Sequence, residues 1–597
     1  MTRAGIVPPP PPEPTPALAA RLGQALWQLA SGGDRDLLLA TVLLLCQERD
    51  QGHVCVALAD WQGQSLDGNA PFPPVAEWAS ALAATGLCGG GSADAPLTPL
   101  VLDGRRRLYL LRHFRTEQRL LAFVRQRLQA PPLSAAAVLR GTLAALHLLP
   151  DAAPGEPDWQ LAAIAAAVHR SFAIVCGGPG TGKTTTVARL LAVLQHGSAP
   201  LRVALAAPTG KAAARLGEAL QQHAAAHPEL AATMAAVEPK TLHRLLGYLP
   251  LDDAFRAGPD RLLPYDLVVV DEASMVDPAV LAVLFSALRP ETRLVLVGDK
   301  DQLAAVAAGQ VLGDLCRTAR PELGVDAELA AFVAAATRMQ LPVQAGAAPI
   351  AGATVALRTN HRFAQQPGIG AFARALAARD HAAARQVLAA AHEDLVLAAD
   401  AEQALAAIAD AIAFAAGAAD PAQALQRLGR VRILTATRHG PNGASTWNRR
   451  VEALLRARGL GGDGPWYDGR PVLVLANDPQ NQIYNGDLGV VRRAADGREV
   501  VWFAGRDGAP RPLAPLRLPP HETAWAMTVH KAQGSEFDEV LLVLPDRPGP
   551  LWQASLVYTG VTRARRRATL LADPAMLDEC LARWPERSSG LADGLRD

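Results

Sequence analysis

The stretch that most constrains this chain is Gly177–Thr184, read as GGPGTGKT. It follows the apolar run Phe172-Ala173-Ile174-Val175-Cys176 and opens into Thr185-Thr186-Val187-Ala188-Arg189-Leu190-Leu191. Strand, glycine loop and helix therefore come in the order that a P-loop requires. Gly177, Gly178, Pro179, Gly180, Thr181 and Gly182 let backbone N–H groups turn inward around phosphates, with the positive end of the helix behind them. Lys183 is placed to reach the β- and γ-phosphates and Thr184 to hold Mg²⁺, with Thr185 next to them among the nucleotide-binding residues. Such a loop says only that a nucleoside triphosphate is bound, so the rest of the chain has to say what the energy is used for.

The chain has 597 residues, room for about three to five domains. Its net charge is +1, so any polyanion contact has to come from a local groove rather than from overall charge. Cys46, Cys55, Cys88, Cys176, Cys316 and Cys580 are scattered, with no C-x-x-C pair. That excludes a zinc ribbon or a disulfide framework and fits buried thiols in a reducing cytoplasm. Pro8–Pro12 lie in an N-terminal stretch, residues 1–17, that reads as a disordered tail. The longest apolar run, Leu37–Cys46, is too short to span a bilayer and predicts a buried helix.

Residues 18–149 read as a mostly helical module suited to docking a partner. Within it a hairpin is predicted to turn at Asp103-Gly104, followed by an arginine-studded helix over Thr116–Leu128. Arg105, Arg106, Arg107, Arg112, Arg115, Arg119, Arg125 and Arg127 could face nucleic acid or an acidic partner, or simply solvent. Pro150–Pro157 reads as a linker. Just past it, Gln160 carries an amide able to pair with an adenine edge, although an ordinary glutamine at a helix start looks the same.

Downstream, Leu201–Ala207 is a second apolar strand ending in Pro208-Thr209-Gly210-Lys211, where Thr209 and Lys211 are candidates for a phosphate backbone. Thr241–Gly247, with His243, could add to that contact. Leu267–Val270 is an all-apolar strand ending in Asp271-Glu272. This places Asp271 beside Mg²⁺ and Glu272 where it can take a proton from an attacking water. A further strand, Arg293–Val297, leads to Gly298–Leu303, in which Gln302 can sense the γ-phosphate; a surface-loop glutamine is the alternative.

GGPGTGKTTT, DEASM and GDKDQLAAVAAG resemble the nucleotide motifs of superfamily 1 DNA helicases. Leu357–Phe363, Ala526–Phe537 and Leu556–Arg565 resemble that family's later motifs, in order. The resemblance implies an α/β fold of two RecA-like parallel-sheet motor lobes, expected at 158–345 and at 346–440 plus 520–590. It also implies arginine fingers at Arg362 and Arg563, either of which could instead be an interlobe salt bridge. By the same resemblance Glu536 would meet the ribose, and Thr528 and His530 would face DNA. Residues 441–519 read as an inserted SH3-like β domain, in which Trp502 either stacks on a base or fills a core.

Within that superfamily the chain is most similar to the alpha (D) subunits of bacterial exodeoxyribonuclease V, the RecBCD complex. That rests on Gln302-Leu303-Ala304-Ala305-Val306, on Gly52-His53-Val54-Cys55, and on Gly469-Arg470-Pro471 ahead of Asn485-Gly486-Asp487. The similarity implies a 5′-to-3′ ATP-dependent DNA motor working with beta and gamma subunits on duplex ends, with the nuclease chemistry elsewhere. A stand-alone helicase acting at forks, an assembly subunit whose ATPase regulates a nuclease, and an RNA track remain as alternatives. A relaxase-helicase would need an N-terminal nucleophilic Tyr and a His-rich metal site, which the sequence lacks.

Overall fold

The computed structural model describes residues 17–66, 70–91, 97–149, 156–196, 201–226, 237–390, 392–462, 464–478, 480–494, 496–505, 509–547, 549 and 551–596. The expected N-terminal tail, apart from Ala17, and Pro150–Gly155 of the expected linker lie outside them. Among the described residues no helix is long and apolar enough to cross a membrane.

The N-terminal module holds four short strands, β1 (Cys55–Ala57), β2 (Cys88–Gly90), β3 (Leu100–Leu102) and β4 (Arg107–Leu110), in the order β1-β4-β3-β2. β3 and β4 form the predicted Asp103-Gly104 hairpin. Leu37–Cys46 lies in the helix Arg35–Asp50, started by Asp34, whose carboxylate accepts from the N–H groups of Asp36 and Leu37. Trp78 is fully buried among these helices, stacked on Phe72 with ring centroids 4.3 Å apart.

β5 (Phe172–Gly177), β6 (Val203–Ala207), β7 (Lys240–Thr241), β10 (Leu267–Val270), β11 (Arg293–Gly298) and β12 (Thr354–Leu357) make the first lobe's parallel sheet, ordered β12-β5-β11-β10-β6-β7. β8 (Tyr248–Leu249) and β9 (Ala254–Phe255) form a small separate hairpin. Apart from the edge strand β7, which is the half-buried Lys240–Thr241, the strands are mostly apolar because helices cover both faces of the sheet. The second lobe has a parallel sheet in the order β13-β22-β21-β14-β20, from β13 (Leu395–Ala398), β14 (Val431–Thr435), β20 (Ala526–Thr528), β21 (Phe537–Val543) and β22 (Ala564–Leu571). Between β14 and β20 comes an antiparallel sheet in the order β18-β17-β16-β15-β19. Its strands are β15 (Pro471–Val474), β16 (Leu488–Arg493), β17 (Glu499–Ala504), β18 (Pro510–Leu513) and β19 (His521–Thr523).

Several expected boundaries move. β12 pairs with β5, so the first lobe continues past 345 to Leu357. Trp447, Val451 and Leu455, on the helix Ala444–Ala457, are buried against Ile433 and Leu541 of the second lobe, so the inserted sheet begins after 441. It ends at Thr523 rather than 519, because β19 pairs with β15. The arginine-studded helix spans Leu111–Gln129 and buries Leu120, Leu121 and Val124 in the first lobe's core with Phe172 and Phe285. Two of the arginines expected to face a partner or solvent are structural. Arg127 is buried and donates to the carbonyls of Arg289 and Pro290, and Arg107, on β4, pairs with Asp103 and Asp593. Trp502 packs against the second lobe's helices at the base of the insert, which favours the core-filling alternative.

Beyond the expected second lobe, which ends at 590, Leu591 and Leu595 pack in the first lobe's core. Glu117 is the buried anchor. Its Oε2 accepts from the N–H of Gly590 at 2.8 Å and its Oε1 from the Tyr109 hydroxyl at 3.2 Å. Burial raises its pKa from 4.5 to about 7, so folding favours the protonated carboxyl. Its stabilising contribution is complete below pH 4.5 and is lost as pH rises through about 7. We expect Glu117→Gln to flatten the decline in stability across that window by up to about 3 kcal/mol, read from denaturant midpoints at pH 5 and 8. Equal pH slopes in both proteins would count against this account.

Candidate nucleotide site between the lobes

The register of the first sheet brings the sequence motifs together. Gly298 of β11 pairs with Cys176 of β5, and Leu296 with Val270 of β10. The P-loop, the Gln302 loop and Asp271-Glu272 therefore leave one sheet edge side by side, at the strands' C-terminal ends, where such sheets bind ligands. They wall a cavity of about 480 Å³, and the opposite wall carries Arg362, Glu536, Arg563 and Arg565.

Two P-loop glycines are demanded by close approach as well as by conformation. Gly180 has φ +80° and lies against Arg362; Gly182 has φ +82° and lies against the Gln160 amide. A Cβ at either position would collide with that neighbour. Gly182 precedes the helix Lys183–Gln195, and Lys183 Nζ donates to the carbonyls of Gly177 at 2.8 Å and Gly178 at 3.2 Å. Thr181 is buried and donates to Gly178 O, while Thr184 and Thr185 line the cavity.

Asp271 is half-buried, and desolvation together with the Glu272 charge raises its pKa to about 6, against the pull of Lys183. Glu272 has φ +50°, a strained backbone for a residue with a side chain. Glu272 Oε2, Gln302 Oε1 and Arg362 Nη1 are buried without a protein partner among the described residues, and all three residues line the cavity. Buried polar atoms are nearly always paired, so three orphans around one cavity fit a polar occupant. A carboxylate whose charge is disfavoured by burial likewise fits a divalent cation beside Asp271 and Thr184.

Across the seam, Arg563 is fully buried, its Nε donating to Thr559 O and its Nη1 to Ser535 O. Arg362 faces the cavity and ion-pairs with Glu536 on its own side of the seam, so this pair is not the interlobe bridge weighed from sequence. Glu536 lines the cavity and is held there by three arginines. Arg215 and Arg362 meet its Oε1 and Arg565 meets its Oε2, and although burial works against the charge, these guanidinium groups hold the carboxyl well below the usual range.

Gln160 is also engaged, its Nε2 donating to Thr181 O and its Oε1 accepting from Arg189, both at 3.2 Å. It borders an adjoining cavity of about 550 Å³ whose wall includes Trp159 with the Arg358 guanidinium 3.8 Å from its ring centroid. Thr209 caps the helix Gly210–Ala226 through the N–H of Ala212, and His243 is exposed beside Tyr248. Thr528 ends β20, and His530 sits in the next turn with its pKa lowered to about 4 by burial and by Arg587. Lys211 lies in the interlobe seam, 5.9 Å from the Phe537 ring centroid. Burial and Arg432 lower its pKa to about 8.

Sequence reasoning missed Asn360 and Arg215. Asn360 Nδ2 donates to Pro179 O at 2.7 Å while its Oδ1 accepts from the N–H groups of Arg362 and Phe363, tying the P-loop to the finger. Its place beside Arg362 was the available signal; for Arg215 there was none. Tyr558 was also unassigned, and its hydroxyl donates to Asp299 Oδ2 at 3.0 Å across the seam.

Residues 17–109 match the family described as the N-terminal domain of RecBCD enzyme subunit RecD, 160–308 an AAA domain, and 523–571 a UvrD-like helicase C-terminal domain. A RecBCD enzyme subunit RecD of Mycobacterium tuberculosis is 38% identical over 96% of this chain and 93% of its own. The chain belongs to the RecD family. Another RecD, from Haemophilus influenzae, is 35% identical over 74% of this chain and 73% of its own. An ATP-dependent RecD2 DNA helicase of Deinococcus radiodurans is 31% identical over 84% of this chain, which spans 61% of that longer protein. Membership of the RecD family accounts for the N-terminal module as well as for both lobes.

Proposed function

We propose that this chain is an ATP-dependent 5′-to-3′ DNA helicase subunit that works with beta and gamma subunits of an exodeoxyribonuclease V in processing double-strand DNA ends. The observation that carries the reading is the cavity at the lobe seam, with Lys183, Asp271, Glu272 and Gln302 on one wall and Arg362 and Arg563 on the other. Lys183 and the P-loop N–H groups bind the phosphates of ATP, and Gln302 reports on the γ-phosphate. Thr184 and Asp271 would hold Mg²⁺, which would supply positive charge to offset the charge of the phosphates. Glu272, with one oxygen free, orients the attacking water and takes its proton. Arg362 and Arg563 stabilise charge on the transferring phosphoryl group, but only while the lobes are closed. Closure on ATP and opening after hydrolysis then alternate the grip on a single strand, with Thr209, His243, Thr528 and His530 as candidate DNA contacts. Lys211 and Glu536 act at the seam, the latter as the anion that gathers three arginines.

The N-terminal module is the docking part, and free, buried cysteines fit a cytoplasmic protein. The RecD N-terminal-domain match favours the complex over a stand-alone helicase. The test is ATP turnover by the chain with its partners, with and without single-stranded DNA, together with unwinding of 5′- and 3′-tailed duplexes. Stimulation by DNA above RNA and unwinding from 5′ tails are expected; no DNA-stimulated turnover overturns the reading.

A further inference from the structure

The loop that carries Gln302 is held from two directions. On its near side Leu303 is clasped by the second lobe: its N–H donates to Thr559 Oγ1 at 2.8 Å, and its carbonyl accepts from Gln533 Nε2 at 2.7 Å. On its far side a single group does the work. Arg587 Nη1 donates to the carbonyls of Ala305 at 2.8 Å, Ala307 at 3.0 Å and Gly309 at 2.8 Å. Among the described residues no other side chain hydrogen-bonds the backbone from Ala304 to Gly309. Three carbonyl oxygens converging on one point repel one another unless a cation lies between them, so the loop's shape depends on that guanidinium.

Arg587 is in turn fastened to the N-terminal module. The next residue, Ser588, accepts at its carbonyl from the Val54 N–H at 2.9 Å, and its own N–H donates to His53 Nδ1 at 3.0 Å. Gly309 closes the circuit, its N–H donating to Gly52 O at 2.9 Å. Gly52 has φ +100°, and a Cβ there would stand 2.6 Å from Arg587 Nε.

We propose that Arg587 is a positioning residue for ATP turnover: it sets the loop that carries Gln302 and ties that loop to the N-terminal module. The inference rests on the reading of Gln302 as the γ-phosphate sensor. A change in the module's docking would reach the sensor through this side chain and the Gly309–Gly52 hydrogen bond beside it, because the loop, the module and the C-terminal segment meet there.

The experiment measures kcat and KM for ATP in DNA-stimulated turnover by the full chain with its partners. The variants are Arg587→Ala, Arg587→Lys, Gly52→Ala, Gln302→Ala and the Gln302→Ala/Arg587→Ala double. Arg587→Ala is expected to lower kcat about tenfold with KM changed by less than about twofold, because nucleotide binding is left intact while the sensor is misplaced. Arg587→Lys is expected to recover part of the loss, and Gly52→Ala to lower kcat with Arg587 still present. In the Gln302→Ala background, loss of Arg587 should cost nothing more. Unchanged kcat in Arg587→Ala and Gly52→Ala overturns the proposal while leaving the sensor reading standing. Unchanged kcat in Gln302→Ala overturns the sensor reading, and the proposal with it. Losses that multiply in the double variant overturn the route through the loop. Should Arg587→Ala not fold, Arg587→Lys and Gly52→Ala decide.

Discussion

Lys183→Gln is expected to lower DNA-stimulated ATP turnover by at least about 10²-fold, since it removes a preorganised charge aimed at the phosphates where water is excluded. Lys183 Nζ lies within the loop itself, bonded to the carbonyls of Gly177 and Gly178, so the charge is already in place before phosphates arrive. A glutamine amide can still donate to one of those carbonyls, so the loop should keep its shape. The readout is paired: turnover and unwinding fall, while co-purification with the partner subunits and the unfolding midpoint stay at wild-type values. Retained unwinding by the complex would instead favour the assembly-subunit alternative, in which this ATPase regulates a nuclease without driving movement.

Arg563→Ala is expected to cost more, about 10³-fold in kcat, the lower end of what arginine fingers contribute in phosphoryl transfer. Arg563 is 2% exposed and its Nε and Nη1 are spent on Thr559 O and Ser535 O, which aim the group at the seam. Because it belongs to the second lobe, its loss should spare ATP binding by the first and appear in kcat rather than KM. Arg563→Lys keeps the charge but not the planar fork, so it should fall between the two. A variant whose KM rises while kcat is kept would make Arg563 a binding group rather than a finger.

The two arginines proposed as fingers differ in what their removal leaves behind. Arg362 shares Glu536 with Arg215 and Arg565, so truncating it still leaves the carboxylate compensated. Arg563 has no acidic partner among the ion pairs of the described residues, so its charge is available to the cavity.

What could be read directly from the chain has local physical causes. The P-loop, Asp271-Glu272 and Gln302 each follow an apolar strand within a few residues, and parallel pairing of such strands delivers their ends to one edge. Successive apolar strands joined by helices also announce two covered parallel sheets. The tertiary structure alone decided where the pieces between and beyond those motifs belong. β12 follows the first lobe's last helix yet joins beside the P-loop strand, and the helix Leu111–Gln129 leaves the N-terminal module for the first lobe's core. Neither choice alters hydrophobic periodicity, which shows that a face is buried but not against what. The same holds for Arg215 with Glu536 and for Arg587 with the loop at Ala305–Gly309: a guanidinium meeting a group hundreds of residues away leaves no spacing pattern to read. Such contacts form only after the sheets have brought distant segments together, so they are visible in the folded chain alone.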